Sequence, residues 1–96
     1  MQIRKHMIVH GKVQGVGFRH TAYMLARALE LYGSVQNLEN GDVELYLQGE
    51  AESIEEYMKR LNRYSHVRIE SVECKEEACR EESGFQIIIT PFRSKS

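Results

Sequence analysis

The segment Gly11-Lys12-Val13-Gln14-Gly15-Val16-Gly17-Phe18-Arg19 holds the residue types and spacing best suited to chemistry in this sequence. Two glycines two positions apart allow backbone conformations closed to other residues, so successive N–H groups can converge on one point. A stretch of helical periodicity follows, and a helix N-terminus adds unpaired N–H groups and a positive dipole end. Arg19 contributes a planar fork of donors suited to phosphate or carboxylate. These residues describe an anion cradle; a glycine turn followed by a surface arginine would use the same residues. No Gly-Lys-Ser/Thr follows, so this is not the loop that cradles a nucleoside triphosphate with magnesium. A second polar residue, Asn37, shares the inward side of a short strand pattern with Val35, where an amide needs partners. It reads as a satisfied turn amide beside Asn40-Gly41, or as a neighbour of the anion loop if its strand returns there. His20 reads as a solvent-facing residue at the helix start. His6, His10 and His66 are scattered and suggest no metal cluster.

The elements that must position these residues follow from the hydrophobic period. Met7, Val9, Gly11 and Val13 alternate with His6, Ile8, His10 and Lys12, the pattern of a half-buried strand. Ala22, Leu25, Ala26 and Leu29 then share one helical face, and Gly33 stands where a helix C′ glycine belongs. Residues 34–39 and 42–48 form two short strands joined by Asn40-Gly41, a strong hairpin signal, with Val43, Leu45 and Leu47 facing inward. Ser53 and Glu56 have the spacing of a capping box before Ile54, Tyr57, Met58 and Leu61 at helical intervals. Val67, Ile69, Val72 and Cys74 read as a strand whose alternation slips near Ser71, as a bulge would make it. Residues 73–82 carry five acids and two bases and read as a solvated edge or loop that guards against aggregation. Phe85, Ile87 and Ile89 make a last short strand.

The predicted order is β-α-β-β-α-β with an additional short C-terminal strand. Two helices with one apolar face each must cover the same side of a mainly antiparallel sheet. The expected fold class is therefore α+β, a ferredoxin-like sandwich. At 96 residues, one domain over 1–96 is expected, with 91–96 as a polar tail. A hydrophobic fraction of 42% and a charged fraction of 28% exclude disordered and low-complexity classes. Thirteen basic against fourteen acidic residues argue against a general nucleic-acid or membrane-surface binder. Cys74 and Cys79 have no usual zinc or redox spacing and read as free thiols in a reducing compartment. No apolar run approaches a membrane span, and the first residues do not form a signal peptide. A cytoplasmic monomer is expected.

The sequence resembles the acylphosphatase family. That family's first signature is a strand residue followed by Gly-x-Val-Gln-Gly-Val-x-Phe-Arg, which residues 9–19 reproduce. Its second is Gly, an aromatic, a small apolar residue, a basic or polar residue and Asn, with Gly, Val and Gly at fixed later positions. Gly33-Ser34-Val35-Gln36-Asn37, Gly41, Val43 and Gly49 match it, with Ser34 in the aromatic place. The resemblance covers nearly the whole chain. It implies hydrolysis of acyl phosphates to carboxylate and inorganic phosphate, with no metal and no cofactor. It also implies that Arg19 binds the phosphoryl group together with the amides of Gln14, Gly15, Val16, Gly17 and Phe18, while Asn37 positions the attacking water.

Two other classes share this fold order. An RNA-recognition module needs stacking aromatics on the open sheet face, and the inferred face (Ile8, His10, Glu44, Tyr46, Gln48) has one aromatic beside an acid. A non-catalytic small-molecule-sensing or protein-interaction domain is the stronger alternative. Acylphosphatase-like domains also open larger carbamoyl-transfer proteins; a chain of 96 residues is expected to be the free-standing enzyme.

Overall fold

Alternation carries the first strand further toward the N-terminus than the apolar pattern alone suggests. β1 (Gln2–Lys12) buries Met7 and Val9 on one face and turns His6, Ile8 and His10 to the other. In the computed structural model, which describes residues 1–15, 17–64 and 66–89, β1 is followed by α1 (Phe18–Ala28), β2 (Tyr32–Asn37), β3 (Val43–Glu50), α2 (Ala51–Leu61), β4 (Arg68–Glu77) and β5 (Phe85–Ile88). One sheet results, in the order β4-β1-β3-β2-β5. Each neighbouring pair is antiparallel except β2 with β5. The expected ferredoxin-like α+β sandwich is what the chain adopts.

Both helices turn their apolar stripes to the same sheet face. Ala22, Leu25 and Ala26 of α1 and Ile54, Tyr57 and Leu61 of α2 join Met7, Val9, Val35, Leu45 and Leu47 in one core. A fully buried Val or Leu contributes roughly 1.5–3 kcal/mol, so this layer is the main source of stability. Tyr57 fastens the helices together, its hydroxyl donating to the Ala22 carbonyl at 2.9 Å. Burial pushes that hydroxyl's pKa up. The two cysteines are free thiols and both are exposed.

The structure corrects several local expectations. Gly33 does not end α1. A six-residue closure does, with Leu31 N–H donating to the Ala26 carbonyl and Glu30 taking the left-handed position at φ 57°. Gly33 sits inside β2, where a Cβ would collide with the Tyr46 carbonyl of β3. Close approach of two strands, not a helix end, requires that glycine. The β2–β3 connection is also wider than a two-residue turn: strand pairing stops at Asn37 and Val43, and residues 38–42 form the loop. Ser53 is no cap, because α2 begins at Ala51 with Glu50 in the cap position and no side-chain cap bond. Glu56 instead pairs with Arg60 one turn on. The slip near Ser71 is a bulge: His10 pairs with Ser71 and Gly11 with Ile69, which leaves Glu70 over.

The acidic stretch 73–82 is only in part a solvated edge. β4 and β5 lie at opposite edges, so residues 78–84 must connect them. That connection is clasped from the open sheet face. Gln48 donates to the Arg80 carbonyl at 2.7 Å and accepts from the Arg80 N–H at 3.0 Å. Arg4, only 3% exposed, pairs with Glu77 and Glu82 and lies 4.7 Å above the Tyr46 ring. Two of the five acids are thus partners of a buried guanidinium. The spacing of acids along the chain could not reveal this, because their partner is some 73–78 residues away.

Candidate active site

Sheet register decides where Asn37 sits. Asn37 pairs with Val43 of β3, and Val43 pairs with Val9 of β1. The three form one row on the helix-facing side, near the end of the sheet from which β1 runs into the glycine loop. Val9 and Val43 are fully buried, so core packing anchors these two members of the row, while Asn37 at its end is only half-buried. With β3 between β2 and β1, Asn37 sits two strands from Val9, at the end of the sheet where the loop starts.

The loop and the first turn of α1 close the other side. Gly15 and Gly17 adopt φ of 74° and 78°, in the left-handed region, and a Cβ at either would meet no atom within 4 Å. Both glycines thus serve backbone conformation and not space. Gly17 is the N-cap residue and offers no side-chain bond to the helix. The first-turn N–H groups, which have no partner within the helix, are left for a ligand. No acidic residue occupies that turn, so the positive dipole end is not neutralised there. Phe18 is buried and pins the helix start to the core. Arg19 beside it is half-buried and makes no ion pair or side-chain hydrogen bond among the described residues. Val16 lies outside the described residues.

Arg19 and Asn37 meet in a pocket of about 280 Å³ whose wall also includes Gly15, Gly17, Ile87 and Ile89. Asn37 lines this pocket, and its Oδ1 is buried with no hydrogen-bond partner among the described residues. Buried polar atoms are nearly always paired, so the exception makes Asn37 a candidate binding position. His20 lines the same pocket and is exposed, as its position at the helix start suggests. A larger depression of about 990 Å³ lies at the far end of α1 between Arg27, Glu30 and Tyr32. It contains neither the glycine loop nor Asn37, so volume alone does not identify the site.

Gln14 has a role that motif spacing does not disclose. Its side-chain amide donates to the Leu38 carbonyl at 2.7 Å and to the Asp42 carbonyl at 2.8 Å. The side chain is thus spent on fastening the loop to the 38–42 turn, and only its backbone N–H remains for an anion. Ser34 faces away from this site: it pairs with Tyr46 on the open face, while Asn37 shares the opposite face with Val35.

Electrostatics around the site extend to the open face. His10 Nδ1 lies 2.9 Å from Asp42 Oδ2, and its Nε2 bonds Glu73 at 2.7 Å. The carboxylates of Glu73 and Asp42, which favour the protonated ring, raise its pKa above the ordinary histidine value. His6 bonds Glu44 at 2.7 Å and stacks on Tyr46 with centroids 4.3 Å apart. Sequence spacing gave no hint of these pairings, since each partner lies on another strand. Among the described residues no three or more His, Cys, Asp or Glu side chains gather as a metal site would require. Among the described residues no helix is long and apolar enough to cross a membrane.

Comparison with known proteins agrees with this geometry. The family model for acylphosphatase matches residues 5–87. An acylphosphatase of Vibrio vulnificus (strain CMCP6) is 41% identical over 90 residues, covering 92% of this chain and all of that one. One of Roseiflexus sp. (strain RS-1) is 39% identical over 87 residues, covering 88% of this chain and 94% of its own length. The solved structure of an acylphosphatase from Coxiella burnetii superposes with a TM-score of 0.84 at 35% identity, over 91% of this chain and 93% of that one. Sequence and fold agree: this chain belongs to the acylphosphatase family and is an acylphosphatase-type hydrolase with acyl phosphates as its substrates.

Proposed function

We propose that the chain hydrolyses acyl phosphates by attack of an Asn37-oriented water on a phosphoryl group held by Arg19 and the amides of Gln14 to Phe18, without a metal ion. One observation carries this reading: Arg19 and Asn37, whose buried Oδ1 has no partner among the described residues, line one pocket at a helix N-terminus. The guanidinium and the first-turn amides supply charge and donors where negative charge spreads over the phosphoryl oxygens. Asn37 accepts a hydrogen bond from the water without placing a second negative charge near the phosphate. Water attacks phosphorus, the bond from phosphorus to the carboxyl oxygen breaks, and the carboxylate leaves. Its conjugate acid has a pKa of roughly 4, so no general acid is required. The water's proton passes to a phosphate oxygen of the substrate.

The same reading takes residues 1–96 as one acylphosphatase-like domain, with 91–96, outside the described residues, as a tail. It also takes the protein as a cytoplasmic monomer without a nucleic-acid partner. On the open face the aromatic ring of Tyr46 is already covered by His6 and Arg4, which supports the last point. The test is phosphate release from a synthetic aryl acyl phosphate before and after exhaustive chelation. Turnover that survives, with competitive inhibition by inorganic phosphate, is expected. Loss of turnover restored by magnesium would refute the metal-free reading.

A further inference from the structure

The two halves of the site are carried by different strands, and something must fix their separation. Gln14 ties the glycine loop to the carbonyls of Leu38 and Asp42, immediately beyond Asn37. Asp42 is in turn gripped from the open face. Its Oδ2 lies 2.9 Å from His10 Nδ1, an ion-pair distance, and accepts from the Asn40 amide at 3.0 Å. The far side of the His10 ring bonds Glu73 on β4 at 2.7 Å. A ring with a carboxylate against each nitrogen suits the imidazolium, the one form that carries a proton on both.

We propose that His10 is a positioning residue: as an imidazolium between Asp42 and Glu73 it holds the 38–42 turn, to which Gln14 is fastened, and so sets Asn37 against the phosphate loop. The proposal rests on the reading of Arg19 and Asn37 given above. The connection is continuous, from Glu73 through His10 and Asp42 to Gln14 and Leu38, and it ends one residue from Asn37. Neutral His10 can donate to only one of its two acids. When the proton leaves, one of the two contacts is lost and the link that runs from Glu73 through His10 to the turn is broken.

The surroundings favour the charged ring. From the β3 side it faces Asp42, with Glu44 next along that strand already bonded to His6. From β4 it faces Glu73, and Ser71, its paired residue, is uncharged. Lys12 follows two residues on along β1, and Arg4 lies at the other end of the strand with its own two acids. With its pKa raised, His10 contributes fully below the ordinary histidine value of about 6.5, and the contribution disappears as pH rises through the folded value. Activity per folded molecule should follow the same sign.

Three variants and the wild type, assayed for kcat and KM on an aryl acyl phosphate between pH 5.5 and 9, test this. Wild-type kcat/KM is expected to fall about 3- to 10-fold as His10 deprotonates, a modest misplacement of the reacting groups. His10→Gln should lack that limb and run at the wild type's high-pH level throughout. Glu73→Gln, on an exposed edge position that cannot threaten folding, should move the limb to lower pH. Substrate ionisation is the same for all proteins, so differences between the profiles belong to the protein. A His10→Gln profile that superimposes on wild type per folded molecule, or a Glu73→Gln limb that does not move, would overturn the proposal. Asn37→Ala in the same series keeps two failures apart. If it is inactive while His10→Gln matches wild type, only the role of His10 is wrong. If it turns over normally, the water-positioning reading is wrong and His10 has nothing to position.

Discussion

Replacing Asn37 with alanine should separate catalysis from stability. Asn37 Oδ1 is buried without a partner among the described residues, and an unsatisfied buried acceptor costs about 1–3 kcal/mol. Alanine removes that acceptor but also loses the side chain's packing at the end of the Val9–Val43 row, a loss of similar size. The two oppose, so the net change in stability should stay within about 1 kcal/mol, or about 4–8 °C in Tm for a domain of this size. Catalysis has no such compensation. Losing one preorganised hydrogen bond in the transition state typically costs about 100- to 1000-fold in kcat. Phosphate binding should change little, because Arg19 and the loop amides are untouched. The measurements are kcat on an aryl acyl phosphate, the inhibition constant of inorganic phosphate, and a thermal melt. A Tm lowered far beyond that range with normal kcat per folded molecule would show that the amide serves the fold and not the reaction.

Arg19→Lys keeps the charge but loses the planar two-point contact. With one or two charged hydrogen bonds lost, at about 1.5–3 kcal/mol each, kcat/KM should fall tens- to thousands-fold while circular dichroism stays native. Gly33→Ala forces a Cβ against the Tyr46 carbonyl at a positive φ, and a cost of about 1–3 kcal/mol or more should appear as a lower urea midpoint. The Arg4 guanidinium holds the Glu77 carboxyl below the usual carboxylate range. Its stabilisation is therefore present above the unfolded value of about 4.3 and is lost as pH falls through the folded one. Glu77→Gln should accordingly lower Tm at pH 7 and flatten its decline between pH 5 and 3.

How much was legible in the sequence depended on whether the signal was local. Alternation in β1 and β3 and the 3.6-residue stripes of both helices are short-range patterns, and they led directly to the sandwich. The glycine loop with Arg19 was legible for the same reason: one contiguous segment contains its parts. Asn37 was a candidate with two readings, and only register across β2, β3 and β1 places it beside the loop. What could not be read were partners far apart in sequence. Gln14 with Leu38 and Asp42, His10 with Glu73, and Arg4 with Glu77 and Glu82 all depend on strand order. Helix ends misled for a different reason. Gly33 and Ser53 carry the usual terminal residue types, yet a close strand approach claims one and a helix that starts two residues earlier absorbs the other.

Hydrolysis in oxygen-18-enriched water tests the central claim most directly. If an Asn37-oriented water attacks phosphorus while Arg19 holds the phosphoryl group, one labelled oxygen enters the released inorganic phosphate and none enters the carboxylate. Mass spectrometry of both products after a single turnover should give that distribution. Label in the carboxylate would place the attack at the acyl carbon and contradict the account.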